Sequence, residues 1–407
     1  MSVPGPVTLS GRWTLDDRLR APVHALPVEL PPGTAAFTVE LSYDRSSGVL
    51  DLGCEGPAGF RGWSGGARSR YTIAPGWATP GYLPGELEQG VWRVLTGLYR
   101  VPFAGLPYQV TVTPHADPPP PPVPPAAPPP SGVVPASARR RLPELDGLRW
   151  RAGDLHAHTV HSDGSLTVAE LAALARSSGL DFLAVTDHNT VSHHAELPGV
   201  ASAAGITLVP GQEVTTDLGH ANAFGDIGWV DFREPADSWA RAARERGGLL
   251  SVNHPLAADC AWRHPFTERP RTAEIWHSGW WDRTWGAPLA WAQAWRDDLV
   301  LVGGGDFHRP GENHPPGMPT TWVLAGGEGP GPVVAGVRAG RTAVSAGPDA
   351  PLLLRHGGEF LVLDADGLVL WGPEHRSVVR GDRVTLPALP GPHRLETPRN
   401  EVMALCT

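Results

Sequence analysis

Residues 167–188 read TVAELAALARSSGLDFLAVTDH, and the succession of patterns inside this stretch decides the architecture around it. Thr167 and Glu170 have the spacing of a capping box, and Val168, Leu171, Leu174 and Ala175 recur at helical period until Gly179. The apolar run 182–186 then reads as a short buried strand that ends on Asp187 and His188. The alternation recurs downstream: a strand at 206–209, a helix near 238–246 before a strand at 249–252, and a helix near 289–296 before a strand at 300–302. Repeated βα units predict an α/β domain with a parallel sheet, closed or nearly closed.

Chemistry-bearing residues stand at the ends of these strands. Glu213 lies just past 206–209, His254 follows 249–252, and Asp306 and His308 lie just past 300–302. His156 and His158 follow a first strand at 150–155. On extended backbone, positions i and i+2 point to one side, so these two imidazoles can grip one ion, and Asp306 and His308 repeat the spacing. Of 17 histidines, 12 fall between His156 and His314, a concentration that scattered packing residues do not produce. Active sites of βα folds gather at the C-terminal ends of the strands, so the groups are expected to converge. His, Asp and Glu without Cys suit zinc, manganese or iron, and the number of ligands suggests a multinuclear cluster. Cys54, Cys260 and Cys406 show no CxxC spacing, which excludes a disulfide scaffold and a four-cysteine zinc site.

Six segments occur in order: Asp154-Leu155-His156-Ala157-His158-Thr159, Ser162-Asp163-Gly164, Thr186-Asp187-His188-Asn189, Gly211-Gln212-Glu213, Asn253-His254-Pro255 and Asp306-Phe307-His308. Over roughly residues 150–350 this series resembles the motifs of the PHP (polymerase and histidinol phosphatase) superfamily. The resemblance implies a distorted (β/α)7 barrel, two to three divalent ions and, for most members, phosphoester hydrolysis. It implies His156, His158, Glu213 and Asp306 as ligands of a first ion, and Asp163, His188 and His308 as ligands of a second. Glu213 would bridge to a third ion held by His220 and His254. Gly219-His220-Ala221-Asn222 is similar to the subgroup containing carbaryl hydrolase and nucleotide phosphatases. Gly305 stands where Ser often precedes the Asp, and His161 is an added imidazole; neither removes a ligand. His188, Asp306 and Arg309 are the candidate catalytic residues, Arg309 because it follows His308 directly and its guanidinium suits a phosphate bidentately.

Other groups read more plainly. His193, His194, His277 and His314 are taken as packing or surface residues near the site mouth. Trp276, Trp280, Trp281 and Trp285 are taken as core, with a stacking wall for an aromatic or nucleobase leaving group as the alternative.

Outside the βα region the pattern changes. Before it, β-rich stretches at 36–43, 48–52, 71–74, 91–96 and 108–113 alternate with turn residues, which predicts an antiparallel β-sandwich over residues 1–115. Two aromatic motifs there, FRGWSGGAR (60–68) and ATPGYLPG (78–85), read as turns with core aromatics, or as a face that contacts a ligand or another domain; they also look like the extra domain of some members of the subgroup. Between 118 and 130, 10 of 13 residues are proline, so 116–148 is expected to be a polyproline linker. The catalytic domain is expected over 149–350, and β signals return over 351–407. Asp364-Ala365-Asp366-Gly367 reads as a hairpin turn, because a calcium loop would need a further acidic ligand and a distal Glu.

A length of 407 residues calls for more than one domain, and a formal charge of −9 argues against a clamp on long nucleic acid. No basic and apolar leader is visible at the N-terminus and no apolar run approaches a membrane span, so a cytoplasmic protein without a membrane partner is expected. The leading functional expectation is hydrolysis of a small phosphorylated metabolite or nucleotide, or 5′-end trimming of short oligonucleotides, through a metal-bridged hydroxide. Carbamate or ester hydrolysis at the same site is the alternative, and a metal-stabilised binding module is the third.

Overall fold

The computed structural model describes residues 5–123, 125–129 and 131–406; Pro124 and Pro130 of the proline run lie outside the described residues. The chain forms two compact units. The first comprises residues up to 126 together with 160–163 and 187–193, and the second comprises 127–159, 164–186 and 194 onward. Two short stretches of the first unit, 160–163 and 187–193, are thus flanked in sequence by residues of the second.

The first unit holds two four-stranded antiparallel sheets. One runs Val7–Trp13, Leu106–His115, Ala36–Tyr43, Arg70–Ile73; the other runs Val23–Glu29, Val91–Arg100, Val49–Gly56, Gly59–Gly65. Inward residues alternate along Leu106–His115, with Leu106, Val110 and Val112 buried, as a half-buried strand requires. These join Phe37, Val39, Leu50, Leu52, Tyr71 and Trp92 in one apolar cluster fed by both sheets. Each such buried side chain contributes about 1.5–3 kcal/mol. Sequence reading missed Val7–Trp13 and Val23–Glu29. It read the start of FRGWSGGAR as a turn, where the chain forms the strand Gly59–Gly65.

In the second unit the helix Val168–Ser177 carries its capping box, with Thr167 and Glu170 each serving the other's backbone N–H. The sheet is mixed. Arg149–Asp154, Phe182–Val185 and the first half of Thr207–Thr216 pair in parallel, as do Leu249–Val252, Thr272–His277 and Val300–Gly304. Between the two sets the chain inserts a hairpin: Thr207–Thr216 turns back as Gly219–Phe224, antiparallel to both neighbours. Thr320–Ala325 is antiparallel to Arg149–Asp154. The all-parallel sheet expected from the βα repeats is therefore corrected to a mixed α/β sheet.

Among the described residues no backbone ladder joins Val300–Gly304 to Thr320–Ala325. Threonine hydroxyls bridge there instead. Thr321 Oγ1 accepts from Gly303 N at 2.8 Å and donates to Gly303 O at 2.7 Å, and Thr342 Oγ1 donates to Leu301 O at 2.9 Å. The C-terminal strands divide: Val402–Cys406 pairs with Thr342–Ser345 and extends the same sheet, whereas Leu352–His356, Glu359–Leu363 and Arg383–Pro387 form a three-stranded sheet of their own. Residues 364–367, expected as a hairpin turn, instead connect Glu359–Leu363 to Val369–Trp371, two strands that do not pair and belong to different sheets.

The proline-rich segment is tied down. In the first unit Trp77 Nε1 donates to Pro119 O at 3.0 Å. In the second, Ala127, Pro128 and Pro129 line a pocket with Ala169, Ala173 and Val200. The segment that follows also packs: Ala136 N donates to Gly179 O at 2.7 Å, and the buried Arg140 donates to Pro348 O, Ala350 O and Asp364. Among the described residues no helix is long and apolar enough to cross a membrane.

Candidate metal centre

Within the second unit the centre begins at Asp154, the buried last residue of its strand. Its carboxylate accepts the backbone N–H groups of His156 (3.0 Å), Gly305 (2.9 Å) and Gly317 (2.7 Å), which gathers three loops at one point. Burial pushes this carboxyl up to about 6, against the pull of the three donors. A Cβ at residue 305 would stand 2.5 Å from Asp154 Oδ2, which accounts for glycine there. Segments 156–158 and 306–308 then run side by side, with His158 N donating to Phe307 O at 2.9 Å.

Glu213 is the hub. It lies inside Thr207–Thr216, not past the strand end as the sequence suggested, and it faces Asn222 across the hairpin, with Thr215 opposite His220. Residues two apart share a face, so Glu213 and His220 lie on one side of the hairpin. Glu213 Oε1 lies 3.2 Å from His156 Nε2, 3.2 Å from His220 Nδ1 and 3.3 Å from His254 Nε2, and accepts from Asn253 Nδ2 at 2.8 Å. Its Oε2 is 3.6 Å from His158 Nε2. Asp306 Oδ1 lies 3.0 Å from His158 Nε2 and 3.2 Å from His156 Nε2. The His308 ring stacks on His158, centroids 4.1 Å apart, and its Nδ1 donates to Asp306 O at 2.9 Å, which makes Nε2 the lone-pair nitrogen of the neutral ring.

The donor set fits divalent ions. His156 Nδ1 stands 2.8 Å from Glu274 Oε2, the carboxylate–histidine pairing that turns the other ring nitrogen into a ligand. His156 Nε2 is fully buried, 3.2 Å from a carboxylate oxygen on each side, and makes no hydrogen bond to either. Three lone-pair carriers so placed require a positive charge among them. The electrostatics express the same demand: burial works to lower the His156 pKa, yet Asp306, Glu213 and Glu274 hold it well above the ordinary imidazole value. Burial would raise Asp306, but His156, with hydrogen bonds from His158 and His277, takes it well below the usual carboxylate range. His254 and Asp306 also have positive φ, +25° and +49°, a backbone strain that clusters at functional sites.

Of the nine ligands that the resemblance implies, the second unit brings together seven: His156, His158, Glu213, His220, His254, Asp306 and His308. Asp163 and His188 belong to the first unit, where Asp163 Oδ1 stands 3.5 Å from His188 Nε2. Asp187 ties their segments: its Oδ1 accepts from Ser162 N (3.0 Å) and Oγ (2.6 Å), and its Oδ2 lies 3.2 Å from His193 Nδ1.

Two residues at the centre were missed. His277, read as packing or surface, places Nε2 3.1 Å from Asp306 Oδ2. Glu274 was not singled out, although an acid inside the strand TAEIWH, buried at 2% exposure, is itself a signal. Glu274→Gln is expected to lower metal affinity about 10–100-fold with the fold intact, since the amide cannot accept and orient the imidazole as the carboxylate does; metal titration by calorimetry checks this. His194 Nε2 donates to Gly211 O at 2.9 Å, and His314 is exposed. Arg309 is exposed, its N–H donating to Asn313 Oδ1. The tryptophan cluster divides: Trp276 is buried, whereas Trp281 and Trp285 are exposed.

Comparison with known proteins adds the following. The PHP domain family matches residues 154–255. A 5′-3′ exoribonuclease from Haemophilus influenzae (strain ATCC 51907 / DSM 11121 / KW20 / Rd) is 39% identical over 64 residues, 16% of this chain, and the chain spans 23% of that relative's length. Among solved structures, a two-domain protein from Bacteroides vulgatus ATCC 8482 containing a predicted PHP-like metal-dependent phosphoesterase is 17% identical, with a TM-score of 0.43 over 65% of this chain and 97% of that one. An amidohydrolase from Chromobacterium violaceum is 16% identical, with a TM-score of 0.31 over 39% of this chain and 88% of that one.

Proposed function

We propose, on the match of residues 154–255 to the PHP domain family, that this chain is a PHP-superfamily metal-dependent hydrolase acting on small phosphoesters or nucleotides. The observation that carries the reading is the buried His156 Nε2 between Glu213 and Asp306, an arrangement that calls for a cation. Divalent ions, when bound, bring the pKa of a coordinated water toward neutrality and offset charge developing on phosphoryl oxygens. The chain's own residues prepare the place. Glu274 orients His156, and the Asp306 carbonyl orients His308. Asn253 fixes Glu213, and His277 engages one oxygen of Asp306 while the other faces His156 and His158. Arg309, exposed beside His308, is the cation we assign to a substrate phosphoryl group. For the fold, we read the second unit as the distorted (β/α)7 barrel and the two four-stranded sheets as a sandwich.

The test is a panel of phosphomonoesters, nucleotides, a short 5′-phosphorylated oligonucleotide, aryl carbamates and aryl esters, assayed with manganese or zinc. Phosphoesters should turn over, inorganic phosphate should compete, and Arg309→Ala should raise KM for phosphoesters while hardly changing neutral substrates. Carbamates turning over faster than every phosphoester, with phosphate no inhibitor, would transfer the reading to carbamate or ester hydrolysis.

A further inference from the structure

We propose that Arg68 and the turn at Gly81 are positioning residues for Asp163 and His188, so that the N-terminal sheets hold in place the two segments that carry these side chains. The inference rests on the reading of Asp163 and His188 as metal ligands. All its contacts lie inside the first unit.

The two motifs that the sequence left between turn chemistry and a contacting face hold two different segments. Arg68, at the end of FRGWSGGAR, donates through Nη1 to Ser162 O at 2.9 Å and through Nη2 to Val160 O. One guanidinium thus clamps two carbonyls of the tetrapeptide that ends on Asp163. Gly81, in ATPGYLPG, donates its N–H to Ser192 Oγ at 3.0 Å, and its carbonyl accepts from Thr190 Oγ1 at 2.9 Å. Thr190 is fully buried and two residues beyond His188. His161 Nδ1 and Ser192 Oγ, 2.7 Å apart, join the two segments to each other.

The turn is built for this approach. Gly81 has φ +99°, and a Cβ there would stand 2.8 Å from His161 O and 2.9 Å from Trp63 O. Beneath it the sheet is firm: Trp63 N donates to Gly81 O at 2.9 Å, and the buried Tyr82 hydroxyl reaches Leu52 O at 3.1 Å. A loop that carries ligands must be ordered before or during metal binding, and ordering it beforehand removes that entropic cost from the binding step. Burial works against the Arg68 charge, and the Asp187 and Asp163 carboxylates offset part of that cost.

The test uses the full chain, first freed of metal and then reloaded. Hydrogen exchange followed by mass spectrometry reads the segments 160–163 and 187–193 in the metal-free protein, and elemental analysis reads metal content after reloading. In Arg68→Ala, exchange around 160–163 should rise roughly ten- to hundredfold, the scale of losing hydrogen bonds from a charged donor. Metal content should fall by about one ion per chain relative to the unaltered protein, the share held by a single ion's ligand set. Arg68→Lys should recover part of both, since one ammonium can still serve a carbonyl. Should Arg68→Ala not fold, Ser192→Ala, which leaves the sheets untouched, should raise exchange across 187–193. Unchanged exchange in both variants overturns the proposal, as does raised exchange with full metal content. Because exchange is read without metal, this result stands apart from the hydrolase reading: a protein that never binds metal defeats that reading and leaves the clamp measurable.

Discussion

Asp306→Ala is expected to abolish turnover, by about 10³-fold or more, while the chain remains folded. The carboxylate faces His156, His158 and His277 within 3.2 Å, so its removal deletes the charge around which three imidazoles are arranged. Loss of several kcal/mol of metal-derived transition-state stabilisation corresponds to at least that factor. A backbone contribution must be separated from the chemical one. At φ +49°, Ala is disfavoured where Asp and Asn are tolerated, by about 1–2 kcal/mol. Asp306→Asn keeps the shape and the tolerated conformation, so it should melt close to the parent protein and still lose metal and activity. His156→Ala should behave likewise, since its Nε2 lies between the two carboxylates. Steady-state rates, elemental analysis and thermal unfolding by circular dichroism decide the matter; retained activity in both Asp306→Ala and His156→Ala would sink the metal assignment.

Removal of residues 1–117 is expected to cost turnover by about 10²-fold or more, the scale of misplacing a catalytic group by about 1 Å. From the proline run alone, the opposite would be anticipated: a spacer transmits few packing contacts, so a soluble and metal-loaded catalytic part should remain. The structure changes the expectation because 160–163 and 187–193 belong to the unit being deleted and lose Arg68, Gly81 and the sheet beneath them. Limited proteolysis should cut the shortened chain within those two segments. Full metal content and undiminished turnover after the deletion would show that the segments hold their positions unaided.

What the sequence could reveal followed from how polar groups are distributed. The helix at 168 and the strand at 182 were legible because an apolar period and a capping box agree with each other. The hairpin of Thr207–Thr216 and Gly219–Phe224 was not, since Pro210, Glu213, His220 and Asn222 interrupt any alternation. Glu213 and Asn222 are buried and His220 half-buried, and polar side chains inside a strand make it resemble a loop in sequence. His156, His158, Glu213, His254, Asp306 and His308 stood out through their places near strand ends, and the second unit gathers them. Glu274 escaped attention since a lone acid in a short apolar run has no partner visible in sequence. Val7–Trp13 is largely exposed and so lacks a period to detect. Arg68 and Val160 are 92 residues apart, and nothing local in either stretch announces the other.

That separation has a bearing on how the protein is made. During synthesis the chain emerges from its N-terminus, and domains tend to fold as they appear. Residues 1–126 supply both sheets of the first unit, and they leave the ribosome well before 160–163 and 187–193. The receptacle at Arg68 and Gly81 can therefore be finished while the segments it receives are still being added, which turns two long-range closures into the landing of short loops on a completed template. A circularly permuted gene that placed residues 1–126 last would keep every contact described above and reverse this order of events.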